Sequence, residues 1–334
     1  MLTNTEYFRK PAKNFLEKGW YTDAPPGSQE FYNYWTQELD RCRNGYNVGD
    51  MHITGHHYFY LNYCQIKLTD QIKGSTASKS IAFPHFWDGD YEYFWLMEIA
   101  RNGITRNRLE ALKLSTDIED RWLDGGQHLI VSKARRKGFS YKNAAITTNT
   151  YNTVRNSYTL LCAHDKKYLY PKGIMTMAAA NMDFLNEYTG WGKRRSQIDK
   201  QNHKKASYLE YINGQGVEKG YKSEVEAITF KDNPDAARGK DATLVIFEEA
   251  GAFANLKNTF MATRPTVEDG GITTGQMIIF GTGGDMDGGT IDFESMFYNP
   301  TPYNLLPVNN VWDDGGEGTH CGWFFPSFRN KVGF

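Results

Sequence analysis

The chain has 334 residues, of which 40% are hydrophobic, 15% aromatic and 23% charged, a composition typical of a globular rather than a disordered protein. Its formal net charge of −1 gives no overall basic field, so nucleic acid would have to be bound by local clusters such as Lys193, Arg194 and Arg195 or Lys204 and Lys205. No apolar run approaches the roughly 20 residues of a membrane-spanning helix, and the scattered cysteines favour a reducing cytoplasm.

The first 125 residues are rich in aromatic side chains, which cluster at positions 58–63 and 83–95. Clustered aromatic side chains dominate buried surface. We therefore predict that most of them lie in the core and that residues 1–125 form a segment that packs on the central domain.

Residues 126–300 alternate between short apolar runs and helical material and are predicted to form the central domain. The predicted strands are 127–131, 158–162, 226–230, 243–247 and 276–280, and the clearest predicted helix is 166–185. Strands that alternate with helices indicate an α/β fold with a mainly parallel sheet flanked by helices. One exception is a predicted β-hairpin insertion at the sheet edge, with its turn at Asn213 and Gly214.

The segment from Lys133 to Ser140 lies between a predicted strand and a helix that starts near Phe139. A phosphate loop needs backbone amides at a helix N-terminus, a lysine for the phosphates and a hydroxyl for magnesium. Gly138 and Ser140 match the pattern G-x-x-x-x-G-K-[ST], whereas Phe139 takes the lysine position and Lys133 the first glycine position. A lysine at the head of the loop can reach the same phosphates, because the loop folds back around the anion. The alternatives are a solvated connection and a DNA-contacting patch.

Two adjacent carboxylates, Glu248 and Glu249, follow the apolar run 243–247, and Thr282 follows the run 276–280 in a glycine-rich setting. One carboxylate at a strand tip can serve the magnesium shell and the next can orient the attacking water. Because ligands of open α/β sheets bind beyond the carboxyl ends of strands, we expect the loop, the acids and Thr282 to converge. The alternatives are a solvated strand end for the acids and a glycine turn without a role for Thr282.

Residues 301–334 contain Pro302, Pro307 and glycines between 315 and 318. This composition predicts an irregular tail or the start of a linker to a further domain.

In this order, the loop, the acidic strand and the Thr282 strand resemble the N-terminal ATPase domain of the large terminase subunit, the DNA-packaging motor of tailed bacteriophages. The resemblance covers roughly residues 50–334, including 53–63 ahead of the loop and 237–239 ahead of the acidic strand. Some members of that family carry the same displaced lysine. The resemblance implies a P-loop NTPase fold of the ASCE type.

The resemblance also implies roles for individual residues. Nucleotide contacts are expected from the whole loop: Lys133, Ala134, Arg135, Arg136, Lys137, Gly138, Phe139 and Ser140. Ser140 and Glu248 would be the metal ligands, with Glu248 in place of the more usual aspartate. Glu249 would be the general base, and Thr282 would sense the γ phosphate and couple hydrolysis to movement.

Two further roles follow from the resemblance. Arg238 would be an arginine finger supplied to a neighbouring subunit, with a surface pairing to Asp241 as the alternative and Arg136 as the rival finger in cis. The adenine pocket would involve three residues, Gln65, Phe86 and Trp87. For the two aromatic residues the alternative is core packing.

The function implied is an ATP-hydrolysing motor that uses ATP and Mg²⁺ to move double-stranded DNA into a procapsid in the host cytoplasm. Expected partners are DNA, other copies of the chain in a ring, the portal protein and the small terminase subunit. Nuclease activity is not expected from this chain alone, because the nuclease domain of the family would begin where it ends. The alternatives are a non-catalytic DNA-binding or docking module with a degenerate P-loop, and a helicase-like ATPase.

Overall fold

The computed structural model of the chain describes residues 5–70, 78–191, 197–231, 233, 235–283, 290–311 and 318–325. The basic cluster of Lys193, Arg194 and Arg195 lies outside these residues. Within the described ranges, no helix combines the length and the apolar character needed to cross a bilayer. The four cysteines are buried, and none forms a disulfide bond with another described residue.

Helices and mostly short strands make up the regular structure. In the described part of the chain the α-helices are α1 (Lys10–Lys18), α2 (Gln29–Asn44), α3 (Gly55–Tyr63), α4 (Asp88–Asn102), α5 (Arg106–Leu112), α6 (Phe139–Thr153), α7 (Ile174–Tyr188), α8 (Leu256–Thr263) and α9 (Thr290–Tyr298). The strands are β1 (Tyr46–Val48), β2 (Met51–Ile53), β3 (Ile66–Asp70), β4 (Ser78–Ala82), β5 (Leu129–Lys133), β6 (Tyr158–Ala163), β7 (Ile198–Lys200), β8 (His203–Ile212), β9 (Gln215–Thr229), β10 (Leu244–Glu248), β11 (Glu268–Asp269), β12 (Ile272–Thr273), β13 (Gln276–Gly281), β14 (Val308–Asn309), β15 (His320–Cys321) and β16 (Trp323–Phe325).

A central sheet has the strand order β16-β5-β13-β10-β6-β9-β8-β7. The strands from β16 to β9 run parallel to their neighbours, and β8 and β7 are antiparallel additions. Both β10 and β13 are buried at every position, as expected of parallel strands covered on both faces. One strand, β13, separates β5 from the acidic strand β10. The predicted fold class is confirmed.

The N-terminal aromatic segment shares one continuous hydrophobic core with the central sheet. Its helix α3 is buried at nearly every position, and the side-chain amide of Asn149 in α6 donates to the Cys42 carbonyl of α2 over 2.7 Å. In α4 the ring of Tyr93 stacks on Trp323 of β16, with 6.1 Å between centroids. Most aromatic side chains of this segment are therefore buried, as predicted.

The predicted hairpin is formed by β8 and β9. Its turn residues Asn213 and Gly214 have φ values of +51° and +80°, which asparagine and glycine tolerate better than other residues. The apolar run 226–230, predicted as a separate strand, is largely the second half of β9. That half pairs in parallel with β6, so one long strand joins the hairpin to the sheet.

Two other predictions differ from the structure. The helix predicted over 166–185 begins at Ile174, because Pro171 has no backbone N–H to donate and Gly173 has a low helix propensity. The tail, predicted to be irregular, contributes β16 to the central sheet beside β5. A strand of three residues shows no periodicity in sequence, and β16 is stabilised by its pairing with β5 and by packing of Trp323 and Phe325 on distant aromatic rings.

Candidate functional site

The carboxyl ends of three neighbouring parallel strands define the site. Strand β5 pairs with β13, and β13 pairs with β10, so the segments that follow them leave the sheet at the same edge. Gly281 at the end of β13 approaches the backbone that follows β10 so closely that an added Cβ would lie 2.8 Å from the Gly251 nitrogen. Glycine is required there, and it lets the tips of β10 and β13 meet.

The basic loop lies between β5 and α6, as predicted. Lys133 is the last residue of β5, and the Ala134 amide donates to the Phe325 carbonyl over 3.0 Å. Gly138 has φ +71° and immediately precedes the first turn of α6. The ring of Phe139 is 2% exposed and packs 4.9 Å from Tyr93 and 5.1 Å from Phe325. The residue in the usual lysine position is therefore a core residue, and Lys133 supplies the ammonium at the sheet edge.

An ion pair joins the loop to the acidic strand. The Nζ atom of Lys133 lies 2.5 Å from Oε1 of Glu249, and the Lys133 side chain is 7% exposed. The other carboxylate oxygen of Glu249 accepts from the Thr282 amide at 3.4 Å and the Thr282 hydroxyl at 3.3 Å. Glu249 thus contacts both Lys133 and Thr282, although the three residues come from different segments of the sequence.

The backbone of Glu249 is strained. Its φ of +50° and ψ of +57° put a residue with a long side chain in the left-handed region. Such conformations cost about 1–3 kcal/mol each and persist where the surroundings hold them, often at functional sites. The result of this conformation is that Glu249 turns toward Lys133 and Thr282, whereas Glu248 stays buried within the strand.

The hydroxyl of Ser140 in the first turn of α6 donates to Oε1 of Glu248 over 2.6 Å. Burial raises the pKa of Glu248 to about 8, and the neighbouring Glu249 carboxylate raises this pKa further. The hydrogen bond from Ser140 and the Lys133 ammonium act in the opposite direction and lower the pKa. The second oxygen, Oε2, is buried without a hydrogen-bond partner among the described residues.

The residues at this position fit a magnesium ion. A buried carboxylate oxygen without a donor is stabilised by a cation, and Mg²⁺ commonly takes one or two protein oxygens together with water and phosphate oxygens. Within the described residues there is no group of three or more His, Cys, Asp or Glu side chains arranged to hold a metal. Ser140 and Glu248 match the smaller ligand set that a nucleotide-bound Mg²⁺ requires.

Glu248 is expected to make the free energy of unfolding fall as pH rises in the absence of divalent cations. Its carboxyl group ionises near pH 4.5 in the unfolded chain and near 8 in the folded chain. Between these values the folded chain keeps a proton that the unfolded chain has lost, so the stabilisation is complete at low pH and is lost as pH rises through about 8. Urea unfolding of the wild type and Glu248→Gln at about pH 6 and about pH 8.5 measures this slope. Equal slopes in the two proteins would contradict the assignment.

Other predicted residues lie apart from this cluster. The side chain of Arg238 is 72% exposed and pairs with Asp235 at 3.4 Å; within the described residues it forms no ion pair with Asp241. Arg135 and Arg136 are exposed in the loop. The finger roles of Arg238, in trans, and of Arg136, in cis, stay predictions.

The predicted adenine pocket needs one correction. Phe86 is 2% exposed, and its ring packs 4.9 Å from the His57 ring and 5.9 Å from the Phe8 ring. A ring that is buried in this way cannot stack on adenine, so core packing, the alternative, is correct for Phe86. Gln65 and Trp87 are half-buried and stay predictions.

Two charged residues beside the loop belong to no motif and were not identified from the sequence. Lys142 of α6 and Asp90 of α4 form an ion pair of 2.8 Å, with side chains that are 1% and 2% exposed. Their separation in sequence hides the pair. Helix α6 is buried on nearly all sides, and a lysine in such a helix suggests a charged partner nearby. The sequence does not show that α6 is buried, so it does not reveal Lys142 as such a residue.

Comparison with solved structures finds bacteriophage large terminases. The ATPase domain of the Thermus phage P74-26 large terminase is 15% identical, covers 72% of this chain and 86% of its own, and has a TM-score of 0.45. The HK97 bacteriophage large terminase is 13% identical over 66% of this chain and 43% of its own, with a TM-score of 0.39. The large terminase of the thermophilic bacteriophage D6E, in complex with ADP, is 11% identical over 47% and 33%, with a TM-score of 0.31.

All three structures come from bacteriophage large terminases. No protein-family model matches the sequence, and no match is found among curated proteins. The function is therefore inferred from the contacts within the site.

Proposed function

We propose that the chain is a magnesium-dependent ATPase and that its site drives a DNA-packaging motor of the large terminase type. The observation that carries the ATPase proposal is the convergence of two contacts, Lys133 with Glu249 and Ser140 with Glu248, at the shared carboxyl edge of the parallel strands β5 and β10, which β13 separates. Phosphoryl transfer to water needs a cation that binds phosphate, a hydroxyl and an acid that bind Mg²⁺, and a second acid that orients the water.

Each residue of the site has a separate task. Lys133 neutralises phosphate oxygens, and the loop amides at the start of α6 donate to them. Ser140 and Glu248 would hold Mg²⁺, which would neutralise phosphate charge when bound. Glu249 orients a water molecule and accepts its proton as the water oxygen bonds to the γ phosphorus and ADP leaves.

The ion pair between Lys133 and Glu249 gives this site a resting state. Phosphate oxygens compete with Glu249 for one ammonium, so nucleotide binding would draw Lys133 away and leave the Glu249 carboxylate free to accept a proton. Because Thr282 also contacts Glu249, a movement of Glu249 on nucleotide binding would be transmitted to the tip of β13. This contact supports a coupling role for Thr282.

The motor proposal adds double-stranded DNA, a ring of copies, the portal protein and the small terminase subunit as partners, on a procapsid in the host cytoplasm. It is supported by the sequence resemblance and by an exposed Arg238 that is accessible to a neighbouring subunit. Its grip on DNA would be independent of base sequence and weakened by salt. These partners are proposals for the whole protein.

Replacing Ser140 by alanine tests the site, with Ser157→Ala as the matched control because the Ser157 hydroxyl is buried and contacts the Thr150 carbonyl. We expect Ser140→Ala to raise the Mg²⁺ concentration needed for half-maximal ATP turnover about tenfold, since one ligand is lost. Ser157→Ala should keep the wild-type requirement. Steady-state turnover across a magnesium titration measures both.

The same assay separates the candidate functions. A motor should turn ATP over faster when double-stranded DNA of any sequence is added. If the wild type shows no magnesium-dependent binding of ATP at millimolar concentration, the ATPase proposal fails and a docking module with a degenerate loop becomes the better account.

A further inference from the structure

One residue of the phosphate loop has a backbone conformation that it does not favour. Arg136, which has a long side chain, has a φ of +61°. The left-handed conformation of a residue such as Arg136 persists only where surrounding contacts hold it. The contacts that fix this loop should therefore be visible beneath it.

Lys142 contacts the underside of the loop. Its Nζ atom donates to the Lys137 carbonyl over 2.5 Å and lies 2.8 Å from Oδ1 of Asp90. The same ammonium lies 4.4 Å from the centroid of the Phe139 ring and 5.0 Å from that of Phe325. One buried side chain thus joins the loop, α4, α6 and β16.

The hydrogen bond to the Lys137 carbonyl orients the next amide. In a trans peptide the C=O and N–H groups point in opposite directions, and the bond between Lys137 and Gly138 is trans. Holding the carbonyl toward Lys142 therefore turns the Gly138 N–H away from the buried side. That is the direction from which a phosphate would approach.

We propose that Asp90 and Lys142 are a positioning pair for the phosphate loop: Lys142 holds the Lys137 carbonyl inward so that the Gly138 amide faces the phosphates, and Asp90 holds Lys142. The inference rests on the proposed nucleotide site. Neither residue would touch nucleotide, because both side chains are buried. Through Asp90, the N-terminal segment becomes part of the loop's support.

Stability alone does not explain this pair. Burial lowers the pKa of Lys142 and raises that of Asp90, so each charge is costly without its partner. Apolar pairs of similar volume often replace buried ion pairs without loss of stability. An apolar side chain at position 142 could fill the space, but it could not donate to the loop carbonyl.

The test is the affinity of Asp90→Asn for Mg-ADP, measured by calorimetry alongside urea unfolding. We expect the dissociation constant to rise about tenfold or more, since hydrogen bonds to charged groups are worth at least that factor. Glu38→Gln is the matched control. Glu38 is 1% exposed and is held by Tyr58, Tyr63 and Arg41, none of which belongs to the loop.

An unchanged affinity for Mg-ADP in Asp90→Asn would overturn the positioning role. The role would also be overturned if Asp90→Asn and Glu38→Gln both lose affinity in proportion to their loss of stability. If Asp90→Asn does not fold, the double variant Asp90→Leu/Lys142→Met is measured instead. Weaker binding of Mg-ADP by a folded double variant would support the positioning role, and unchanged binding would overturn it. Should the wild type itself fail to bind Mg-ADP, the proposed function fails and the positioning role fails with it. Wild-type binding that needs Lys133 but not Asp90 would overturn the positioning role alone.

Discussion

Replacing Glu249 by glutamine is expected to lower the rate of ATP turnover about 10³-fold, the middle of the range for loss of a general base. Glutamine keeps the shape of the side chain and can still bond to Thr282, but it cannot accept a proton from water. Binding of Mg-ATP should persist, because Glu249 is released from Lys133 when phosphate binds. Single-turnover hydrolysis and equilibrium binding, measured on the same preparation, separate the two effects.

The matched control for this variant is Glu210→Gln, since Glu210 is an exposed carboxylate on β8 at the hairpin. That variant should hydrolyse ATP at the wild-type rate. A Glu249→Gln protein with unchanged turnover would remove Glu249 from the chemistry and leave its strained backbone unexplained.

Replacing Lys133 by alanine is expected to weaken ATP binding about 100-fold, near the upper range for a hydrogen bond between charged groups. The loss has two parts. The phosphates lose their buried ammonium, and the carboxylate of Glu249 loses the partner that it has in the resting state. Binding of a fluorescent ATP analogue, with turnover measured in parallel, gives the size of each effect.

Lys167→Ala serves as the control, because the Lys167 side chain is 67% exposed and pairs only weakly with Asp165, at 4.0 Å. The rival account is that Arg136 supplies the loop's main positive charge. Wild-type affinity in Lys133→Ala together with a large loss in Arg136→Ala would establish that rival and refute the assignment of Lys133.

Local patterns in the sequence predicted the parts of the site. An apolar strand, a basic loop and a helix start are contiguous in sequence, and so is an apolar strand with two acids at its tip. Their backbone conformations depend mainly on neighbouring residues, which is why β5 and β10 lie within two residues of their predicted positions and α6 starts at Phe139, as predicted. The convergence of Lys133, Glu249 and Thr282 also followed from a rule of topology, that parallel strands share one carboxyl edge.

The tertiary structure decided which of these residues are in contact and which are buried. No local pattern shows that Phe139 lies in the core, that β16 joins the central sheet or that Asp90 contacts Lys142. Those outcomes depend on packing between segments that are far apart in the chain. The energy of burying a ring or a charge depends on the residues that surround it in space. The order of residues in the sequence does not show which distant residues become those neighbours.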